Sequence, residues 1–165
     1  MVQKFVTLDA GRDKLKVATV TSAGAGNAGD IVALDTAGRL DVSVMPVGIA
    51  PDVKVAVTSE NLAAGDYVNI YDVAGVPTVR LADKSNDRPA HGFVKAVSTS
   101  PANATVYFEG SNSNLSGMTV GARQYLSTVG ARTETPATTG LHQFLGIAVS
   151  ATEINTDIDD EIVIL

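Results

Sequence analysis

Ala64-Gly65-Asp66-Tyr67-Val68-Asn69-Ile70-Tyr71-Asp72-Val73-Ala74-Gly75-Val76 decides how this chain is read. β-branched and aromatic residues fill most of the positions between its glycines, and the second glycine stands where a hairpin turn demands a positive φ. The phrase recurs on either side. Ala28-Gly29-Asp30-Ile31-Val32-Ala33-Leu34-Asp35-Thr36-Ala37-Gly38-Arg39-Leu40 precedes it, and Val120-Gly121-Ala122-Arg123-Gln124-Tyr125-Leu126-Ser127-Thr128-Val129-Gly130-Ala131-Arg132 comes after it. In each copy the two glycines are nine or ten residues apart. Each copy predicts a β-hairpin. After each comes a polar connection and a strand led by glycine: Val47–Ala50, His91–Val97 and Leu145–Ser150. The last two are succeeded by a further strand, Ala104–Phe108 and Glu161–Leu165.

The rest of the chain agrees with an all-β reading. Strand-like segments also occur at Lys4–Leu8, Lys14–Thr21, Val53–Val57 and Thr78–Leu81, separated by Gly, Pro, Asn and Asp. The expectation is a compact antiparallel β-barrel or sandwich built from repeated hairpins. At 165 residues, one domain spanning 1–165 is expected, with an extended N-terminal segment, Met1 to about Asp13, as an arm. Ser85–Asp87 and Gly110–Ser116 are read as exposed loops.

Composition narrows the function classes. Hydrophobic residues make up 45% of the chain but aromatics only 5%, so the core must be mostly aliphatic. A net charge of −6 argues against a general affinity for nucleic acid, which needs clustered cations. There are no cysteines, which excludes disulfides, thiolate metal sites and a Cys nucleophile. The N-terminal residues lack the apolar run of a signal peptide, and the longest uncharged stretch, Thr135 to Thr152, is too polar to span a bilayer. Synthesis in the cytoplasm with no membrane partner is the expectation.

The polar motifs do not assemble into a reactive site. Gly24-Ala25-Gly26-Asn27-Ala28-Gly29 matches a dinucleotide fingerprint, but a strand comes next where the chemistry needs a helix N-terminus. Asn155-Thr156-Asp157-Ile158-Asp159 opens like a calcium loop, yet Asp160 stands where such a loop wants Gly. It is read as an acidic turn, with an incidental cation site near Asp157–Asp160 as the alternative. His91 and His142 lack companion ligands and are read as turn or surface residues. Asp83, Lys84, Asp87 and Arg88 read as a solvated mixed-charge tip, and the sequons at Asn103 and Asn114 carry no weight without a secretion signal. No catalytic, cofactor-binding or metal residues are assigned, no cofactor is implied, and the chain is not expected to be an enzyme.

The third copy and the residues after it carry a more specific pattern: Gly121-Ala122-Arg123-Gln124-Tyr125-Leu126-Ser127, Gly130, Thr133-Glu134-Thr135-Pro136-Ala137-Thr138-Thr139-Gly140, and Gln143-Phe144-Leu145-Gly146-Ile147-Ala148-Val149-Ser150-Ala151-Thr152. This resembles a segment found in many tailed-phage virion proteins. The earlier hairpins resemble, more loosely, those of small phage capsid decoration (cement) proteins. The resemblance implies a virion structural protein on the outer surface of the capsid that binds the expanded head and bridges neighbouring major capsid proteins. It also implies a homo-oligomer, with a trimer as the first expectation. A tail-fibre or baseplate component with a host-facing or glycan-binding role is the alternative.

Overall fold

A computed structural model describes residues 4–45, 52–159 and 163–164. The chain divides into two compact units, Met1–Ala50 and Pro51–Leu165. The expected strand Val47–Ala50 lies outside the described residues, as do Met1 to Gln3 of the expected arm.

In the first unit, β1 (Lys4–Asp9) and β2 (Arg12–Val17) form an antiparallel hairpin. Asp9 pairs with Arg12, so only Ala10 and Gly11 make the turn, with φ of 51° and 78°. Positive φ at both positions is the type I′ geometry, whose twist matches that of the flanking strands. From Lys4 on, the residues read as an N-terminal arm are therefore β1, its turn and the start of β2.

The first copy of the glycine phrase, Ala28–Leu40, keeps its turn but forms no hairpin ladder. Asp35 and Arg39 close a three-residue loop, in which the amide hydrogens of Ala37 and Arg39 bond to the Asp35 carboxylate at 2.8 and 2.9 Å. The segment before the turn is engaged elsewhere: Thr19 bridges Val32 in parallel, through Thr19 N–H to Ile31 O and Ala33 N–H to Thr19 O, both 2.9 Å. The segment after it becomes a 3-10 turn at Val42–Val44, capped by Asp41 through the Ser43 amide. Alternation described this segment locally, and the competing pairing and cap decided it.

The second unit begins with β3 (Val53–Thr58), β4 (Tyr67–Val73), β5 (Val76–Leu81), β6 (Gly92–Val94) and β7 (Asn103–Tyr107), which close into a barrel. The central phrase is β4, a type I′ turn at Ala74 and Gly75 (φ 53° and 85°), and β5. Alternation then sorts the side chains. Val68, Val79, Val94, Ala104 and Val106 fill the barrel, while Tyr67 and Phe93 belong to a second cluster outside it. β8 (Gly110–Asn112), β9 (Arg123–Leu126), β10 (Arg132–Thr133), β12 (Phe144–Ala148) and β13 (Ile154–Thr156) form an antiparallel sheet. Leu126, Leu145, Ala148 and Ile154 from this sheet complete the second cluster. β11 (Leu141–His142) pairs with β14 (Val163–Ile164).

These two halves repeat one motif. The barrel runs β3-β7-β6-β4-β5, and the sheet runs β8-β13-β12-β9-β10. Registers correspond: Tyr67↔Phe93, Val68↔Gly92 and Val94↔Val106 match Arg123↔Ile147, Gln124↔Gly146 and Ala148↔Ile154. In the first half β3 and β5 pair in parallel and close the barrel. In the second, β8 and β10 are three and two residues long and stay at opposite edges of an open sheet.

The strand-leading glycines have one purpose in both halves. A Cβ on Gly92 would lie 2.5 Å from Tyr107 O and 2.6 Å from Val106 Cγ1. On Gly146 it would lie 2.2 Å from Asn155 O and 2.9 Å from Ile154 Cγ2. These glycines admit the neighbouring strand. The all-β architecture expected from the sequence is present, with β3 and β5 the one parallel pair of strands among the described residues.

Candidate interaction surfaces

The polar residues singled out in the sequence are mostly spent on holding the fold. Gly24–Asn27 is a 3-10 turn cross-linked by its own asparagine, which accepts from Ala23 N–H at 2.7 Å and donates to Asp30 at 2.9 Å. Asp30 also accepts from Lys16 Nζ and from Thr19 Oγ1, and the Lys16 bond above all holds its carboxyl far below the usual carboxylate range. A fixed anion with its own cation therefore ends this loop, and no helix N-terminus comes next to hold a phosphate.

Asp83, Lys84 and Arg88 do more than form a solvated tip. Asp83 and Arg88 exchange backbone hydrogen bonds of 2.8 and 3.1 Å, and the buried Asp83 carboxylate accepts the Ser85 amide and hydroxyl at 2.8 and 2.6 Å. Burial raises the carboxyl's pKa, but hydrogen bonds from Ser85 and the Val129 amide, with the nearby Arg88 charge, together outweigh it and the net shift is downward. Arg88 Nη1 reaches Glu60 Oε1 at 3.1 Å, while Glu60 Oε2 takes the Leu81 amide hydrogen. Lys84 links the two halves through its backbone, donating to Ser127 O and accepting from Leu141 N–H. Only the tip, Ser85–Asp87, is exposed as expected.

The phage-like pattern around Tyr125 and Gln143 belongs to this same junction. Gln143 is almost wholly buried, and its side chain acts as one more rung of sheet: Oε1 accepts from Ala90 N–H at 2.7 Å and Nε2 donates to Ala90 O at 2.9 Å. Tyr125 packs edge-on to His142 and Phe144 at 5.1 and 6.1 Å. Glu134 accepts the Thr119 amide hydrogen, which pulls its carboxyl below its ordinary value. Sequence reasoning missed Gln143 as a clamp, although a lone amide in an apolar run was the available signal.

His91 lies in the connection just before β6, and His142 is in β11. His91 Nδ1 accepts the Ile70 amide hydrogen at 3.0 Å, which requires that nitrogen to be unprotonated. Partial burial lowers the imidazole's pKa. His142 Nδ1 lies 3.4 Å from Ala137 O. Asn155 and Thr156 are in β13, not in an acidic turn, because they pair with β8 and β12. Asp160 lies outside the described residues. No group of three or more His, Cys, Asp or Glu suited to a metal occurs among the described residues. Asn112, expected in an exposed loop, is fully buried in β8 and donates to Gly65 O at 2.9 Å.

A cleft of about 670 Å³ is lined by Lys95, Tyr107, Glu109, Asn155 and Asp157, among others. Phe93 stacks on the Tyr107 ring at 5.7 Å, and Lys95 Nζ sits 4.4 Å over it. The ring is thus already engaged within the fold, which leaves a poor stacking platform for a sugar.

What stands free is aliphatic surface. On β3, Val53, Val55 and Val57 are exposed while Ala56 and Thr58 turn inward. In the first unit, Val6 pairs directly with Leu15, so Val6, Leu8, Leu15 and Val17 share one face of the hairpin. They are 64%, 73%, 65% and 51% exposed. Val20, Ile31, Val32, Leu34, Leu40 and Val42 are exposed as well, and Ala33 is the single buried hydrophobic residue among those described in this unit.

No protein-family model and no curated protein matches the chain. Among solved structures, it is similar to one titled as the crystal structure of the head fiber gp8.5 N base in bacteriophage phi29. The TM-score is 0.48 and the identity 11%, over 69% of this chain and 98% of that chain.

Proposed function

We propose that this chain is a structural protein of a tailed-phage virion that decorates the outer face of the expanded head and bridges neighbouring major capsid proteins. One observation carries the reading: the polar constellations are used inside the fold, whereas aliphatic side chains on β1, β2 and β3 stand uncovered. Surfaces of that kind serve by being covered. The resemblance of residues 121–152 to virion segments supports the same conclusion and supplies the setting.

The mechanism is linkage. A protein that binds the expanded shell and not its precursor stabilises the expanded form by its binding free energy, summed over many copies. Among the described residues β1 and β2 pair with each other alone, and their outer edges add backbone groups that a strand of the shell protein can pair with. The test mixes the purified protein with expanded heads that lack it, then measures copies bound per shell and resistance to heat and dilution. Saturable binding with a raised disruption temperature is expected. Absence of binding to heads overturns the proposal, and binding to tails instead moves the protein to a fibre or baseplate role.

A further inference from the structure

We infer that the second unit binds one water molecule as an integral part of its core, held between the hydroxyls of Tyr67 and Thr156 and the amide oxygen of Asn112. These side chains come from β4, β13 and β8, so barrel and sheet each supply part of the site. Tyr67 and Asn112 are fully buried, and Thr156 is 5% exposed. Asn112 pairs with Ile154 and Gly110 with Thr156, so Asn112, Ile154 and Thr156 share the buried side of the sheet. The Tyr67 hydroxyl faces both polar side chains. Yet among the described residues Tyr67 Oη, Thr156 Oγ1 and Asn112 Oδ1 have no hydrogen-bond partner.

Asn112 is fixed from its other side. Its Nδ2 donates to Gly65 O at 2.9 Å, and only the nitrogen of an amide can face a carbonyl, so Oδ1 is left toward the two hydroxyls. Orphaned polar atoms are rare in native cores, and three together call for a shared partner. The proton count identifies it. Each hydroxyl has a proton to give, and the amide oxygen can only accept. A water accepts from Tyr67 and from Thr156 and donates to Asn112 Oδ1, which bonds every orphan once and makes the three hydrogen bonds usual for a buried water. A metal cation does not fit, because all three oxygens are neutral and a buried charge needs an opposite one. An apolar group would leave all three unpaired. Thr156 also lines the cleft beside Tyr107 and Asn155, which gives water a route in. The site lies inside the second unit and has no part in the proposed contact with a shell.

A high-resolution crystal structure of the full native chain tests this without any variant. A single ordered water is expected at about 2.6–3.0 Å from each of Tyr67 Oη, Thr156 Oγ1 and Asn112 Oδ1. Oxygen-17 magnetic relaxation dispersion, which counts long-lived waters in solution, gives the second readout. The native protein should hold one more such water than the double variant Tyr67→Phe, Thr156→Val, whose side chains keep nearly the same shape without the hydroxyls. Should that variant fail to fold, the native crystal structure decides alone. Direct hydrogen bonds among the three side chains with no water between them overturn the inference. So does an equal number of long-lived waters in the folded native and variant proteins.

Discussion

Replacing Gly146 by alanine tests the packing logic of the second unit. The added Cβ would sit 2.2 Å from Asn155 O and 2.9 Å from Ile154 Cγ2, so β13 must move by about 1 Å to restore van der Waals contact. That movement pulls on a ladder in which Gly146 pairs with Thr156 and Ala148 with Ile154, and Ile154 is fully buried. Overpacking of this kind costs about 1–3 kcal/mol. The backbone at φ +144° adds strain of about 1–3 kcal/mol for any residue with a side chain. The sum, ~2–6 kcal/mol, is a large part of the ~5–15 kcal/mol that holds a typical domain. Urea unfolding monitored by far-UV circular dichroism and tyrosine fluorescence should show the midpoint lowered by about 2 M, taking a slope of about 2 kcal/mol per M. Gly75→Ala is the control: its Cβ meets nothing within 4 Å, so only the turn conformation at φ +85° is penalised, by about 1–2 kcal/mol. A loss below about 1 kcal/mol for Gly146→Ala, or equal losses for the two variants, would refute the close-approach argument.

Three further outcomes are expected. Gln143→Ala leaves the buried amide and carbonyl of Ala90 unpaired and should cost about 2–4 kcal/mol by the same urea assay. Tyr67→Phe removes a buried hydroxyl that faces the buried side chains of Thr156 and Asn112, so stability should fall by about 1 kcal/mol in the same assay. His91 has a depressed pKa in the folded chain, so the unfolded chain binds its proton first as pH falls. Its effect is absent above the unfolded value near 6.5, and stability then declines as pH falls toward the lower folded value. Urea midpoints at about pH 7.5 and 5.5 should differ less in His91→Asn than in the native protein.

The sequence made the two productive hairpins legible because their turns carry a small or aliphatic residue before glycine and their strands alternate on both sides. Ala10-Gly11 has the same signature between two strand-like segments, Lys4–Leu8 and Lys14–Thr21, but Asp9, Arg12 and Asp13 crowd it with charge and disguise the turn that joins them. Ala37-Gly38 shares the dipeptide, but there Asp35 takes over the turn and Thr19 takes the partner strand. Local pattern does not reveal such a competition. β8 and β13 were invisible for another reason: Gly-Ser-Asn and Ile-Asn-Thr have little strand character, and their pairing comes from each other and from β12. The exposed aliphatic residues were the least legible part. Alternation in β1 and β2 is the pattern of a half-buried strand pair, yet Val6, Leu8, Leu15 and Val17 are all exposed.

The repeated motif also sets an order of events during synthesis. Every strand of the barrel lies between Val53 and Tyr107, so the barrel can close before the second half has been made. Tyr67 and Phe93, directed away from the barrel interior, then wait for Leu126, Leu145 and Ile154 to arrive. Until Gln143 docks on Ala90, the nascent protein carries an aromatic pair in water. That interval is when it is most prone to capture by chaperones or by its neighbours on the same message.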